Sequence, residues 1–362
     1  MKAVVAHEIN RLAVEDVSLD PPQAGEVLVK MSATGVCHSD LSVLNGTLPL
    51  PLPMVLGHEG AGVVDQVGEG VRNVKPGDHV VLSFQPACGD CFFCVRGESF
   101  LCTCGAPTGR MLDGTARVKL EGKDLGVMQF LGNMAEYAVV PSISVVRIDS
   151  DIPLRSAALV GCGVTTGVGA AINTAGVEPG STVAVVGCGG VGLSIIQGAR
   201  IAGARRIIGA DLADHKLDMA THFGATDTVQ ASGDPVARVK ELTDGLGVDY
   251  AFEAIGLSTT ILQAHSMARR GGTAVIVGAG KITDTVSFSA LMLFAEAKTI
   301  KGCYYGSVNA RADFPMLIEL YRRGKLDLDG MVTNTYRIED APQAFTDLEK
   351  GLNARGVIVF DT

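Results

Sequence analysis

Residues 1 to about 160 carry short runs in which β-branched residues dominate or apolar and polar positions alternate, at Lys2–Ala6, Glu26–Ala33, Ala61–Val67 and His79–Ser83. Turn residues bound these runs, at Pro21-Pro22, Gly25, Gly57, Gly68, Gly70 and Pro76-Gly77-Asp78. A period of two with such punctuation predicts a mostly-β lobe. From about residue 180 the rhythm changes. Thr182–Val186 reads as a buried strand, Val191–Ala202 as a helix and Arg206–Ala210 as the next strand. Further strands fit Asp227–Gln230, Val248–Ala254, Thr273–Val277 and Thr299–Cys303, with helices at Asp234–Thr243 and Thr259–Ala268. Short apolar strands mostly separated by helices predict a doubly wound parallel sheet, so the fold class is α/β. Beyond about residue 305 come helices near Phe314–Arg322 and Pro342–Lys350 and a last strand at Gly356–Phe360. The pattern does not say which lobe this tail joins.

A chain of 362 residues has room for two domains. Its 45 glycines exceed the usual share of about 7% and point to many tight turns. With 30 basic against 39 acidic residues, a net charge of −9 and no basic run, nucleic acid and membrane surfaces are excluded as expected partners. No apolar run reaches the roughly 18 residues of a spanning helix. The amino end becomes charged too early for a signal-peptide core, so a cytoplasmic location is expected. Nine cysteines, an odd number in a reducing compartment, favour metal ligation over disulfides.

Gly187-Cys188-Gly189-Gly190-Val191-Gly192 fits the dinucleotide fingerprint and lies between a predicted strand and a predicted helix. Gly187 allows the tight turn, Gly189 lets a pyrophosphate approach the backbone, and Gly192 lets helix and strand pack closely. The helix N-terminus offers free N–H groups to the phosphates. Asp211 closes the next strand, where a carboxylate can hold the adenosine ribose hydroxyls. Two like charges about 4 Å apart repel by roughly 4 kcal/mol at an effective dielectric of 20, so Asp211 predicts NAD rather than NADP. Cys88, Cys91, Cys94 and Cys102, within one turn-rich segment, suit a closed tetrahedral zinc that staples a lobe with little core of its own. Cys104 is a spare at this spacing. Cys37, His58 and Cys162 are dispersed through the chain. Taken singly, the two cysteines pass as buried small residues and the histidine as a turn residue.

In order and separation, GVCHSD, GHEGAGVV, the four-cysteine lobe, GCGVTTG and GCGGVG resemble the zinc-dependent medium-chain alcohol dehydrogenases, with loop lengths like the liver-type branch. The resemblance spans essentially the whole chain. It implies a chaperonin-10-like catalytic domain over residues 1–163 and 305–362, with the structural zinc lobe at 86–104, and a Rossmann NAD-binding domain over 164–304. It makes Cys37, His58 and Cys162 catalytic zinc ligands and Glu59 a close carboxylate. Asp40 becomes the partner that orients His58. Two zinc ions per chain and NAD are the implied cofactors. Ser39 would accept the alcohol's proton. Thr166 and Val191 would press on the nicotinamide. His38, Gly190, Lys216, Val277 and Arg355 join the cofactor contacts, with Arg355 on the pyrophosphate. Leu48, Phe84, Ala279 and Tyr304 would line a mostly apolar substrate pocket, with Tyr305 nearby. The implied reaction is reversible hydride transfer between a primary aliphatic or aromatic alcohol and NAD, zinc lowering the alcohol's pKa.

Two departures from the family pattern stand out. His38 replaces a pyrophosphate-binding arginine and predicts weaker hold on NAD. Ser42 replaces a histidine that would end the proton relay, leaving water to finish it. A thiol-dependent formaldehyde dehydrogenase is the nearest rival reading. Against it, Cys104, Gly105 and Ala106 stand where a basic residue would hold a glutathione carboxylate. A non-catalytic, crystallin-like protein is a second. Assembly as a homodimer is expected, with a tetramer as the alternative.

Overall fold

A computed structural model of the chain describes residues 1–104 and 108–360. Gly105 and Ala106, on which the argument against a thiol-dependent enzyme rests, lie outside the described residues. The chain divides into two compact units. One holds Met1–Gly163, Asn309–Gly324 and the chain from Leu328 onward; the other holds Val164–Val308 and Lys325–Asp327.

The first unit is built on mixed, mostly antiparallel sheets, with parallel pairs at Met54–Val55 with Lys123–Val127 and at Val332–Tyr336 with Arg355–Val359. Its long strand Glu26–Val36 pairs with Gly60–Val67, with Tyr137–Pro141 and, near the carboxyl end of the chain, with Arg355–Val359. That last pairing sets Gly356 opposite Val36, which brings Arg355 back to the end of the strand that leads into Cys37. A second sheet follows the order Arg11–Asp16, Lys2–Glu8, Met54–Val55, Lys123–Val127, Val118–Leu120, Ser18–Leu19. It packs Ala3, Val5, Val55, Leu125 and Val127 into one core.

In the second unit six parallel strands run in the order Asp227–Gln230, Arg206–Asp211, Thr182–Val186, Val248–Glu253, Ala268–Ile276, Thr299–Gly302. Thr182–Val186 is buried at every position, as an interior parallel strand must be. Connectivity reverses between Thr182–Val186 and Val248–Glu253. Such a reversal leaves a crevice at the carboxyl ends of the strands, where ligands bind in sheets of this kind.

The structure moves two boundaries. Residues 305–308, expected in the first unit, belong to the second. Tyr305 is buried, and the chain at Gly306 runs so close to Thr165 that a Cβ would lie 2.5 Å from its carbonyl oxygen. The turn at 325–327 also joins the second unit, because the buried amide of Gln197 accepts from Asp327 N at 2.8 Å and donates to its carbonyl at 3.3 Å.

Candidate active site

The strand Glu26–Val36 delivers Cys37 in extended conformation to the N-cap of the helix His38–Leu44. Asp40, in the first turn of that helix and wholly buried, reaches back to its own N-terminus and across to the next ligand. Its Oδ2 accepts from Cys37 N at 3.3 Å; its Oδ1 accepts from Gly57 N at 2.9 Å and from His58 Nδ1 at 3.2 Å. With Nδ1 committed as a donor, Nε2 of His58 is the lone-pair nitrogen, and it is buried without a hydrogen-bond partner. A buried lone pair with no donor is the mark of a metal ligand. Cys162 follows the short helix Ala158–Gly161.

Sγ of Cys37 and Cys162, a ring nitrogen of His58 and a carboxylate oxygen of Glu59 all lie within 4.8 Å of one another, and all four residues are buried. The Cys162 thiol donates to the Cys37 sulfur, which lowers the Cys37 pKa well below its ordinary value against the cost of burial. That same donation, with burial, raises Cys162. Burial opposes a charged His58, but Asp40 and Cys37 outweigh it and raise its pKa, so the pocket favours a cation on Nε2, which a metal would supply in place of the proton. Burial also pushes the Glu59 carboxyl up to about 7, although Arg355 pulls the other way. Two sulfurs, an imidazole and a nearby carboxylate form a donor set that suits zinc with one position open.

The second cysteine group is equally close-set. Sulfur separations are 3.5 Å for Cys88–Cys102, 3.8 Å for Cys91–Cys102 and 4.0 Å for Cys88–Cys94. Four ligands about 2.3 Å from a tetrahedral zinc stand about 3.8 Å apart, whereas a disulfide needs about 2.05 Å. Backbone N–H groups of Cys94 and Thr103 hold the Cys91 thiol down to about 6. Cys104 donates to Pro86 O at 3.3 Å and lies beside Cys102, whose pKa it helps to lower.

In the second unit the glycine motif bends as the fingerprint requires. Gly187 has φ +93°, and its missing Cβ leaves room for Ile255, whose Cγ1 would be 2.5 Å away. A Cβ on Gly192 would sit 1.8 Å from Gly187 O, while Gly189, at the N-cap of the helix Gly190–Ile201, faces open space. Asp211 accepts from Cys188 N at 2.8 Å and from Ala213 N at 3.1 Å, so its carboxylate is aimed at the motif.

Residues 23–150 match the alcohol dehydrogenase GroES-like domain, and residues 190–323 match the zinc-binding dehydrogenase family. An NDMA-dependent alcohol dehydrogenase from Amycolatopsis methanolica is 42% identical over 366 residues, covering 99% of this chain and 98% of that protein. The chain belongs to the zinc-dependent medium-chain alcohol dehydrogenases. Benzyl alcohol dehydrogenase from Acinetobacter calcoaceticus superposes with a TM-score of 0.94 at 34% identity, over 99% of each chain. An alcohol dehydrogenase zinc-binding domain protein from Burkholderia ambifaria reaches a TM-score of 0.95 at 34% identity, over 100% of this chain and 99% of that one.

Phe84 is buried and meets the His58 ring edge-on, centroids 5.6 Å apart. Ser39 and Leu48 are half-buried, and His38 is exposed at the start of its helix. In the second unit Thr166, Val191, Lys216 and Val277 are half-buried, whereas Ala279 and Tyr304 are exposed. Lys216 is near enough to Cys188 to bear on its thiol electrostatically.

Arg355, expected on a pyrophosphate, has a buried guanidinium that is ion-paired through Nη2 with Oε2 of Glu59. The pair fits because two glycines flank it. A Cβ on Gly35 would come 2.7 Å from the Glu59 carboxyl carbon, and one on Gly163 would come 2.7 Å from Arg355 Nη1.

Residues with no motif of their own also shape the sites. Glu253, wholly buried, accepts from Ile255 N, Gly256 N and Thr260 Oγ1 at 2.7–2.9 Å, holding the turn beside Gly187. Asn133 and Thr34 lie behind His58 and Glu59. Their only trace in the sequence is indirect: glycines on both sides of His58-Glu59 mark a backbone that something must approach closely.

Proposed function

We propose that this dehydrogenase transfers hydride reversibly between a primary aliphatic or aromatic alcohol and NAD, with one zinc at Cys37, His58 and Cys162 and a second at Cys88, Cys91, Cys94 and Cys102. The observation that carries the reading is the buried, unpartnered Nε2 of His58 set among two cysteine sulfurs. A zinc bound there supplies Lewis acidity, lowering the pKa of a coordinated alcohol and polarising the aldehyde in reverse. The protein's own work is positional. Asp40 fixes the tautomer of His58, Phe84 covers the imidazole with an apolar edge, and Ser39 takes the proton towards solvent. Asp211 selects the ribose over its 2′-phosphorylated form.

Similarity to a benzyl alcohol dehydrogenase supports an aromatic substrate. The name of the NDMA-dependent relative makes the electron acceptor a variable to be tested alongside the alcohol. Homodimer assembly is part of the proposal. The strand Thr299–Gly302 ends its sheet with every residue exposed, and the helix Ala290–Glu296 beside it in sequence buries none. An edge so open is a template for pairing with a second copy.

The test is a panel of straight-chain, benzylic, secondary and thiol-adduct alcohols, each offered with NAD, NADP and NDMA. Primary and benzylic alcohols should turn over with NAD. Turnover of thiol adducts alone would establish the formaldehyde dehydrogenase reading, and none at all the non-catalytic one.

A further inference from the structure

The zinc ligand His58 and the neighbouring carboxylate Glu59 sit on a backbone step bracketed by Gly57 and Gly60. Both glycines are crowded by one side chain from a distant part of the chain. A Cβ at Gly57 would lie 2.4 Å from Oδ1 of Asn133, and one at Gly60 would lie 2.2 Å from its Nδ2. Asn133 is wholly buried. Thr34 Oγ1 donates its one proton to the carbonyl of Glu59 at 2.9 Å and shares it with Oδ1 of Asn133 at 3.3 Å. The Asn133 main-chain N–H donates to Gly57 O at 3.3 Å. Nδ2 makes no hydrogen bond. A buried amide left unsatisfied costs stability, so its retention calls for a local reason.

We infer that Asn133 is a positioning residue for the catalytic metal: its carboxamide, wedged into the space vacated by two absent Cβ atoms, sets the path of the His58–Glu59 backbone and with it the direction of the His58 lone pair. The inference rests on the metal assignment of the proposed function. Three contacts converge on the step from one side: the amide on the glycines, the main-chain bond to Gly57 and the Thr34 hydroxyl on Glu59 O. The other side is held by Asp40 through Gly57 N and His58 Nδ1. A backbone clamped from both faces loses the freedom that would let the imidazole turn away from the two sulfurs, and outer partners of this kind are worth about 10–100-fold in metal affinity.

The test uses the full-length protein in both zinc- and cobalt-loaded forms. Asn133→Ala should weaken one of the two zinc sites at least tenfold in chelator competition while leaving the four-cysteine site loaded. It should also shift the visible absorption of cobalt bound with Cys37, His58 and Cys162. Gly60→Ala should do the same by displacing the amide. Combining Gly60→Ala with Asn133→Ala should recover part of the loss, because the new methyl fills the vacated space once the Met31 tip, which a Cβ would meet at 2.7 Å, moves aside. Should Asn133→Ala fail to fold, Thr34→Val removes the hydroxyl with little change of shape; it should shift the cobalt spectrum while Thr34→Ser restores it. Unchanged zinc affinity and an unchanged cobalt spectrum in folded Asn133→Ala or Thr34→Val would overturn the inference. A wild-type chain that loads zinc only in the four-cysteine lobe would instead overturn the metal assignment, and this inference with it.

Discussion

Asp211 illustrates how one side chain serves two ends. Its carboxylate takes N–H bonds from Cys188 and Ala213, which fix it against the glycine loop, and its charge repels a phosphate placed there. Asp211→Asn keeps an acceptor and removes the charge. The ratio of kcat/KM with NAD to that with NADP should fall by roughly a hundredfold or more, given a repulsion of about 4 kcal/mol; an unchanged ratio would contradict the role. Arg355 shows what motif position leaves out: its guanidinium pairs with Glu59, 296 residues earlier in the chain. No local pattern carries that pairing. It depends on the last strand lying beside Glu26–Val36 and on two glycines making room. Asn133 was illegible for the same reason, being specified by the shape of Gly57 and Gly60 rather than by any spacing.

Among the elements, short β-branched runs were readable even where little is buried, as at Thr299–Gly302 and Asp227–Gln230. Thr182–Val186 and the helix Gly190–Ile201 fall within a residue of expectation because burial dictates their composition. The helix Asp214–His222 escaped notice, since only Leu217 and Ala220 of its nine residues are buried. The stretch 108–117 has almost no regular structure, yet it is tied down by Arg117. That guanidinium is buried, bidentate with Glu26 at 2.8 Å for both bonds, and bonded to Asp113 at 2.6 Å. Arg117→Ala should cost about 3–5 kcal/mol in denaturant unfolding, because Glu26 would be left buried and unpaired. Asp113 gives the element a pH signature. Burial works against its charge, but hydrogen bonds from Arg117 and Thr115 outweigh it and hold the carboxyl down to about 2 from an ordinary 3.8. A carboxylate with a depressed folded pKa contributes stability that is present above about pH 4 and is lost as pH falls towards 2. The gap in unfolding midpoint between the wild type and Asp113→Asn should therefore be steady above pH 5 and close near pH 2; a gap that persists there would count against this tie.

On the scale of the whole molecule, each unit contributes one kind of chemistry. The mostly antiparallel unit gathers Cys37, His58, Glu59 and Cys162 from three separate stretches of chain, and the parallel unit presents a glycine turn with an acidic partner. The order of motifs along the sequence sufficed to foresee both sets, since each is anchored at the end of a regular element. The junctions were less legible, residues 305–308 and 325–327 being assigned by packing against Thr165 and Gln197 rather than by periodicity. The claim on which everything else depends is that alcohol oxidation needs the metal held by Cys37, His58 and Cys162. It is tested most directly by stripping zinc stepwise with a chelator while following both zinc per chain and the rate of benzyl alcohol oxidation. The account predicts two zinc ions at the start, activity vanishing with the loss of one of them, and recovery when zinc is returned. Undiminished oxidation by protein emptied of zinc would contradict it.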